Sequence, residues 1–187
     1  MKKLNYQDVN IKLINACRKG DSKAQFEIYK LYYKSMYNTA FRMLGDSAEA
    51  EDVMQEGFLS CFQKIDTYRG EVSFGAWLKK IIVNRSLDII KTRKAVISIE
   101  ASQVDIADES SAGFSEIPDN LDVEMIKEAI YSLPEGYRIV LSLYLLEGYD
   151  HEEISEILNI TNATSRTQFH RAKKKLTELI NELKAVS

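Results

Sequence analysis

Apolar residues recur at intervals of three and four positions along most of this 187-residue chain. This spacing places them on one face of an α-helix, and no stretch shows the alternation of period two that marks a β-strand. The pattern predicts an all-α protein with helices over residues 8–19, 21–44, 47–66, 73–93, 121–132 and 135–147 and two more from residue 150 onward. In the helix over 135–147 the side chains expected to face inward are Tyr137, Val140, Leu141, Tyr144 and Leu145.

The composition changes sharply between the two sets of predicted helices. Residues 95–122 contain seven acidic residues and no lysine or arginine, with serine, alanine and glycine between them. Such a segment has too little apolar surface to fold by itself. We therefore predict two small helical domains, residues 1–94 and 121–187, joined by a flexible acidic linker over residues 95–120.

Residues 150–176 predict a helix-turn-helix in the second domain. Asp150 and Glu153 have the spacing of a capping box, and Thr161 is the expected cap of the following helix. On a helical wheel of that second helix, Ser165 falls on the buried side. The outer face and its flanks carry Arg166, Thr167, Gln168, His170, Arg171, Lys173 and Lys174. This face suits a DNA major groove, where such side chains bond base edges and phosphates. A solvated amphipathic helix is the alternative interpretation.

A second basic region precedes the linker. Residues 69–94 contain seven basic and two acidic residues, and Tyr68, Phe74 and Trp77 lie among or beside them. Bases of single-stranded nucleic acid stack on aromatic rings while cations follow the backbone, so this combination indicates a single-strand site. The alternative is that the aromatic residues are core and the basic residues form a solvated rim.

The predicted helix over residues 47–66 has an acidic outer edge formed by Glu49, Asp52, Gln55, Glu56 and Gln63. An ordinary solvated face is the simplest interpretation of this edge. The net charge of the chain is −3, so any nucleic-acid site must be a local basic surface within an acidic protein.

Several functional classes are excluded by composition. Cys17 and Cys61 lie far apart without a CxxC motif and the chain has two histidines, so we expect neither a disulfide framework nor a metal site, and no cofactor. Both cysteines are expected in the core. We predict no membrane insertion, since no signal peptide or 18-residue apolar run is present, and a cytoplasmic location. No catalytic triad or phosphate-binding glycine loop is found, so we do not expect an enzyme.

Three stretches, in order and spacing, resemble the extracytoplasmic-function group of the bacterial sigma-70 family. AEAEDVMQEGF (residues 48–58) resembles the family helix that docks on RNA polymerase. YRGEVSFGAWLKKIIVNRSLD (residues 68–88) resembles the promoter-melting helix, and residues 133–176 resemble the C-terminal DNA-binding domain. The chain departs from the family at Ser165, where a small or branched apolar residue is usual, and at Gln168, where a basic residue is common.

The resemblance implies specific roles for residues at the matching positions. Asp52, Gln55 and Glu56 would contact the clamp helices of the polymerase, with Phe58 supporting their helix from the core. The site for the non-template strand of the melted promoter element would be lined or flanked by Tyr68, Arg69, Trp77, Lys80, Asn84 and Arg85. Asn84 would form hydrogen bonds to an extruded base. The distal element would be read as duplex by Arg166, Thr167, Gln168, His170 and Arg171, with Lys173 and Lys174 on its phosphates.

The function implied is that of a sigma factor that binds core RNA polymerase and directs promoter-specific transcription initiation. Its partners would be core polymerase, promoter DNA as duplex and as non-template single strand, and in many relatives an inhibitory anti-sigma protein. The alternative is a stand-alone helix-turn-helix regulator whose N-terminal bundle senses a ligand or dimerises. That alternative predicts tight, sequence-specific duplex binding without polymerase.

Overall fold

The computed structural model describes residues 10–97 and 123–186. The chain divides into two compact units, Met1–Arg93 and Lys94–Ser187. All regular structure within the described residues is helical, which confirms the predicted all-α class. The linker predicted over residues 95–120 lies outside the described residues except for 95–97, which continue the helix that begins at Phe74.

The first unit is built on the helices α1 (Ile11–Arg18), α2 (Ser22–Leu44), α3 (Ser47–Gln63) and α4 (Phe74–Ile97), with a short 3₁₀ turn at Ile65–Thr67. Helix α2 begins after Asp21, whose carboxylate accepts hydrogen bonds from the backbone N–H of Lys23 at 2.9 Å and of Ala24 at 3.2 Å. It ends at Gly45, where φ is +73°, a conformation that glycine adopts without a Cβ clash.

The core of the first unit surrounds α2, which packs against both α1 and α3. Its most buried large side chains include Ile14, Ile28, Met36, Phe74 and Leu78, all at most 1% exposed. The two cysteines also lie there, Cys17 at 3% and Cys61 at 0% exposure, which confirms their predicted place in the core. Burial raises the pKa of the Cys61 thiol to about 12.

The second unit contains the helices α5 (Val123–Tyr131), α6 (Glu135–Leu141), α7 (His151–Leu158) and α8 (Asn162–Val186). Its core joins α5, α6 and α8 through Ile130, Leu133, Leu141 and Ala172. Arg138 is only 8% exposed, and its Nη1 donates to the carbonyl oxygens of Tyr131 and Leu133, at 3.2 Å each. These bonds satisfy backbone acceptors where α5 ends.

A π-helical turn at Ser142–Leu146 interrupts the single helix predicted over residues 135–147. The backbone N–H of Glu147 donates to the carbonyl of Ser142 at 3.0 Å, one residue further back than in an α-helix. The wider turn changes the direction of the side chains within it. Tyr144 and Leu145 are 37% and 54% exposed, so the prediction that they face inward is wrong.

Candidate nucleic-acid interface

Helix α7 begins with the predicted capping box, which the structure confirms. The Asp150 carboxylate accepts hydrogen bonds from the backbone N–H of Glu152 and Glu153, at 2.8 Å each. The Glu153 carboxylate in return accepts from the backbone N–H of Asp150 at 2.9 Å. The start of α7 is therefore held by three hydrogen bonds formed within four residues.

The turn between α7 and α8 is short and well defined. Asn159 ends α7 with φ of +53°, in the left-handed region that asparagine tolerates better than most residues. The Thr161 hydroxyl accepts a hydrogen bond from the backbone N–H of Thr164 at 3.0 Å, so the predicted cap of α8 is also confirmed. Together α7, residues 159–161 and α8 form a helix-turn-helix.

The outer face of α8 differs in part from the face drawn on the helical wheel. Four of the predicted side chains are exposed, namely Arg166, Thr167, His170 and Lys174. Arg171 and Lys173 are half-buried, and Lys173 Nζ lies 4.9 Å from the centre of the Phe169 ring. Gln168 is half-buried as well, with its side-chain oxygen beside Gly136 of α6. The exposed four form the outward surface of the helix.

The charge on this part of α8 is uniformly positive. From residue 157 to residue 177 the chain contains no acidic residue. The Arg166 guanidinium is oriented by a 2.9 Å hydrogen bond from its Nε to Asn162 Oδ1, one turn earlier. A cationic helix face of this kind, presented by a capped helix-turn-helix, can enter a major groove and contact phosphates on either side.

The basic surface of α4 brings together only some of its predicted members. Lys80 and Asn84 are exposed and one turn apart, while Arg69 is exposed in the loop before α4. Trp77 is half-buried. Arg85 is half-buried and forms an ion pair with Glu56 of α3.

Tyr68 lies in the core, with 3% of its surface exposed. Its hydroxyl donates to the carbonyl of Val72 at 2.8 Å, and its ring packs edge-on against Phe74, with ring centres 5.3 Å apart. Arg18 Nη2 donates to the Tyr68 carbonyl at 2.6 Å. For Tyr68 and Phe74, the alternative of core aromatics beneath a basic rim is therefore the better description, while Trp77 is only half-buried.

The acidic edge of α3 presents Asp52, Gln55 and Glu56 to solvent. Gln55 donates to Glu51 Oε1 at 3.3 Å along the same helix. Phe58 is 3% exposed and packs edge-on against Tyr29, with ring centres 4.9 Å apart. The edge thus rests on a side chain buried between α2 and α3.

Helices α3 and α4 approach closely at Gly57. A Cβ built on Gly57 would lie far inside van der Waals contact of Ile82 Cδ1. The missing side chain of Gly57 lets α4 come near enough for Arg85 to reach Glu56 in the same region. Sequence reasoning missed this ion pair, because residues 56 and 85 are distant along the chain and carry no local signal of their contact.

Sequence reasoning also assigned no role to His151. Its Nδ1 lies 2.9 Å from the hydroxyl of Ser165, which is completely buried. A signal for this contact was present, because a serine on the buried side of a helix needs a hydrogen-bond partner.

The described residues show neither a metal site nor a membrane span. They contain no group of three or more His, Cys, Asp or Glu side chains placed to hold a metal ion. Among their helices, none is long and apolar enough to cross a bilayer.

Comparison with known proteins gives matches over both units. Residues 28–96 match Sigma-70 region 2, and residues 124–176 match Sigma-70, region 4. The chain is 31% identical over 183 residues to the ECF RNA polymerase sigma factor SigW of Bacillus subtilis, covering 92% of this chain and 97% of SigW. It is 28% identical over 184 residues to the ECF RNA polymerase sigma-E factor of Escherichia coli K12, covering 91% and 94% of the two chains.

Two solved structures share the fold at lower identity. The sigma factor RpoE from Bartonella quintana, crystallised with the anti-sigma factor NepR, matches with a TM-score of 0.53 at 21% identity, covering 83% of this chain and 95% of RpoE. CnrH, solved in complex with the cytosolic domain of CnrY, matches with a TM-score of 0.53 at 18% identity, covering 94% and 99% of the two chains.

Proposed function

Because the chain belongs to the extracytoplasmic-function sigma factors of the sigma-70 family, we propose that its charged helix faces contribute separate contacts during promoter opening. As a sigma factor, the chain binds core RNA polymerase and directs promoter-specific transcription initiation. One observation carries the proposal: three charged helix faces are exposed, namely the acidic edge of α3, the basic surface of α4 and the basic face of α8. Each face has the sign of charge that its proposed contact requires. The mechanism is capture of DNA by binding, without covalent chemistry.

The face of α8 reads the distal promoter element as duplex. Arg166, Thr167 and His170 are exposed and contact base edges, where arginine can bond a guanine through two hydrogen bonds. Lys174 contacts phosphate. Of the half-buried residues, Arg171 and Gln168 lie at the flanks of the reading face. Lys173 contacts the DNA phosphates together with Lys174, and each cation releases counterions bound to the DNA.

The surface of α4 holds the melted non-template strand. Opening each base-pair step costs about 1.4 kcal/mol, and contacts to the released strand must offset that cost. Asn84 offers an amide that both donates and accepts hydrogen bonds to an extruded base, and the accessible part of Trp77 offers a stacking surface. The phosphate backbone of the released strand is contacted by Arg69, Lys80 and Arg85. The buried Tyr68 supports the loop from within.

The acidic edge of α3 binds core polymerase in the cytoplasm. Asp52, Gln55 and Glu56 contact the clamp helices of the largest subunit, and Phe58 holds their helix against α2. An anti-sigma protein is a further proposed partner, since the related RpoE was crystallised with the anti-sigma factor NepR.

Run-off transcription tests the proposal directly. Purified core polymerase and the full chain are incubated with a library of genomic promoter fragments, and transcripts are sequenced. We expect a discrete set of transcripts that depends on the chain. Failure to stimulate any transcript, or failure to co-purify with core polymerase, would refute the function. Tight, specific duplex binding by the chain alone would favour a stand-alone regulator instead.

The proposed division of contacts is tested with two substitutions. Asn84→Ala should reduce open-complex formation while leaving the closed complex nearly intact. Arg166→Ala should weaken the closed complex by about 1–3 kcal/mol. Matched controls are Asn38→Ala on the exposed side of α2 and Lys127→Ala on α5. If both test variants gave the same closed-complex defect, or if the controls did, the division would be wrong.

A further inference from the structure

A partly buried polar contact joins the two helices of the helix-turn-helix. His151, the first residue of α7, lies with its Nδ1 2.9 Å from the hydroxyl of Ser165 in α8. Ser165 is 0% exposed. If the buried hydroxyl lost this partner, the free-energy cost of its desolvation would no longer be offset by a hydrogen bond. The contact between His151 and Ser165 is therefore favoured.

His151 is held in place on several sides. The capping box of Asp150 fixes its backbone at the start of α7. Its ring stacks on Tyr144 of the π turn, with centres 4.5 Å apart and planes 21° from parallel. Phe169 of α8 meets the same ring edge-on at 5.5 Å. The imidazole therefore presents its Nδ1 to Ser165 from a fixed position.

The rest of α8 is held by contacts of a different kind. Ala172, Leu176 and Leu179 pack against the apolar core formed with α5 and α6. Apolar contacts are not directional, whereas a hydrogen bond constrains both distance and angle. The contact at Ser165 thus restricts the first turns of α8 in a way that the apolar core does not.

Ser165 lies directly before the exposed reading face. Arg166 and Thr167 follow it in sequence, and a shift of the helix at Ser165 moves both. Burial and the nearby Arg166 guanidinium lower the pKa of His151, while Asp150 opposes them by raising it. A lowered pKa favours the neutral imidazole, in which one ring nitrogen can donate and the other can accept a hydrogen bond.

We propose that His151 and Ser165 are positioning residues that set the placement of α8 in the groove, and so determine how well the distal element is distinguished from other DNA. Neither residue needs to touch DNA for this. The inference rests on the proposed function.

The test uses the full chain with core polymerase and a promoter fragment recovered by run-off transcription, intact or with its distal element scrambled. Ser165→Ala and His151→Phe should each raise the closed-complex Kd for the intact promoter about fivefold to tenfold, and leave binding to the scrambled fragment within about twofold. The double variant should be no worse than either single one, because both remove the same bond. His151→Asn, which can place a polar atom near the position of Nδ1, should restore most of the affinity.

Ser155→Ala is the matched serine control, since the Ser155 hydroxyl donates within α7, to the Glu152 carbonyl at 2.7 Å. It should bind both fragments like the wild-type chain. Equal losses on intact and scrambled DNA, additive losses in the double variant, or no rescue by His151→Asn would each overturn the positioning role. Absence of any transcript with the wild-type chain would instead refute the proposed function, so the two failures are distinguishable.

Discussion

Replacing Gly57 by alanine tests how closely α3 must pack against α4. The new Cβ would be 3.5 Å from Ile82 Cγ1, an ordinary contact, but far too close to Ile82 Cδ1. Carbon atoms pack at about 3.5–4.0 Å, so Cδ1 would have to move aside. Ile82 is 0% exposed, so Cδ1 would have to move within the packed interior.

Two opposing effects decide the size of the change. Alanine is favoured over glycine inside a helix by about 1 kcal/mol. Forcing an extra methyl group into a packed core costs about 1–3 kcal/mol. The free energy of unfolding of the first unit should therefore fall by about 0–2 kcal/mol. The chain contains one tryptophan, Trp77, so its fluorescence during urea unfolding reports on the first unit.

A second substitution isolates the clash. Ile82→Val removes Cδ1 and by itself should cost about 0.5–1.5 kcal/mol. In the Ile82→Val background, Gly57→Ala should be neutral or stabilising by up to about 1 kcal/mol, because only the propensity gain remains. Gly136→Ala is the control: its Cβ would meet only the Gln168 side-chain oxygen, at 3.8 Å, and circular dichroism should show no loss of stability. Additive effects of the Gly57 and Ile82 changes, within about 0.5 kcal/mol, would refute the reasoning.

Four further predictions concern single groups. Asp150→Ala should lower the stability of the second unit by about 1 kcal/mol in thermal unfolding, because the N-cap of α7 is lost. Arg138→Ala should cost more, about 1–3 kcal/mol in urea unfolding, since the carbonyls of Tyr131 and Leu133 would lose a buried donor. Burial raises the pKa of Cys61 to about 12, so its thiol should resist iodoacetamide at pH 8 in the native chain and react in urea, as measured by mass spectrometry. Unfolding returns the pKa of Cys61 to about 8.5. The free energy of unfolding of the first unit should therefore also decline as the pH rises above about 8.5.

Local features of the fold were predictable from sequence because their causes lie within a few residues. Asp21, Asp150 and Thr161 cap helices by bonding backbone N–H groups two or three positions ahead, which spacing alone reveals. Gly45 ends α2 for an equally local reason. The helix-turn-helix and the all-α class follow from such signals together with the apolar period.

Features that depend on contacts between distant residues were not predictable in the same way. The ion pair of Glu56 with Arg85 joins a residue expected to bind polymerase to one expected to bind DNA. Tyr68 can be buried because its hydroxyl donates to the Val72 carbonyl and its own carbonyl accepts a hydrogen bond from Arg18. A periodic pattern identifies which face of a helix is apolar, but it does not identify which neighbour covers that face.

The π turn shows how a single local irregularity can mislead a periodic analysis and still matter for function. A helical wheel assumes 3.6 residues per turn, so it misplaces side chains inside the wider turn at Ser142–Leu146. Tyr144 is thereby placed outside the core, where its ring stacks on His151. The buried Ser165 bonds that same imidazole. Two departures from the simple pattern, an outward tyrosine and an inward serine, thus contact the same histidine beside the exposed face of α8. Departures from local sequence rules are expected at functional sites, and this face is the proposed site of specific DNA recognition.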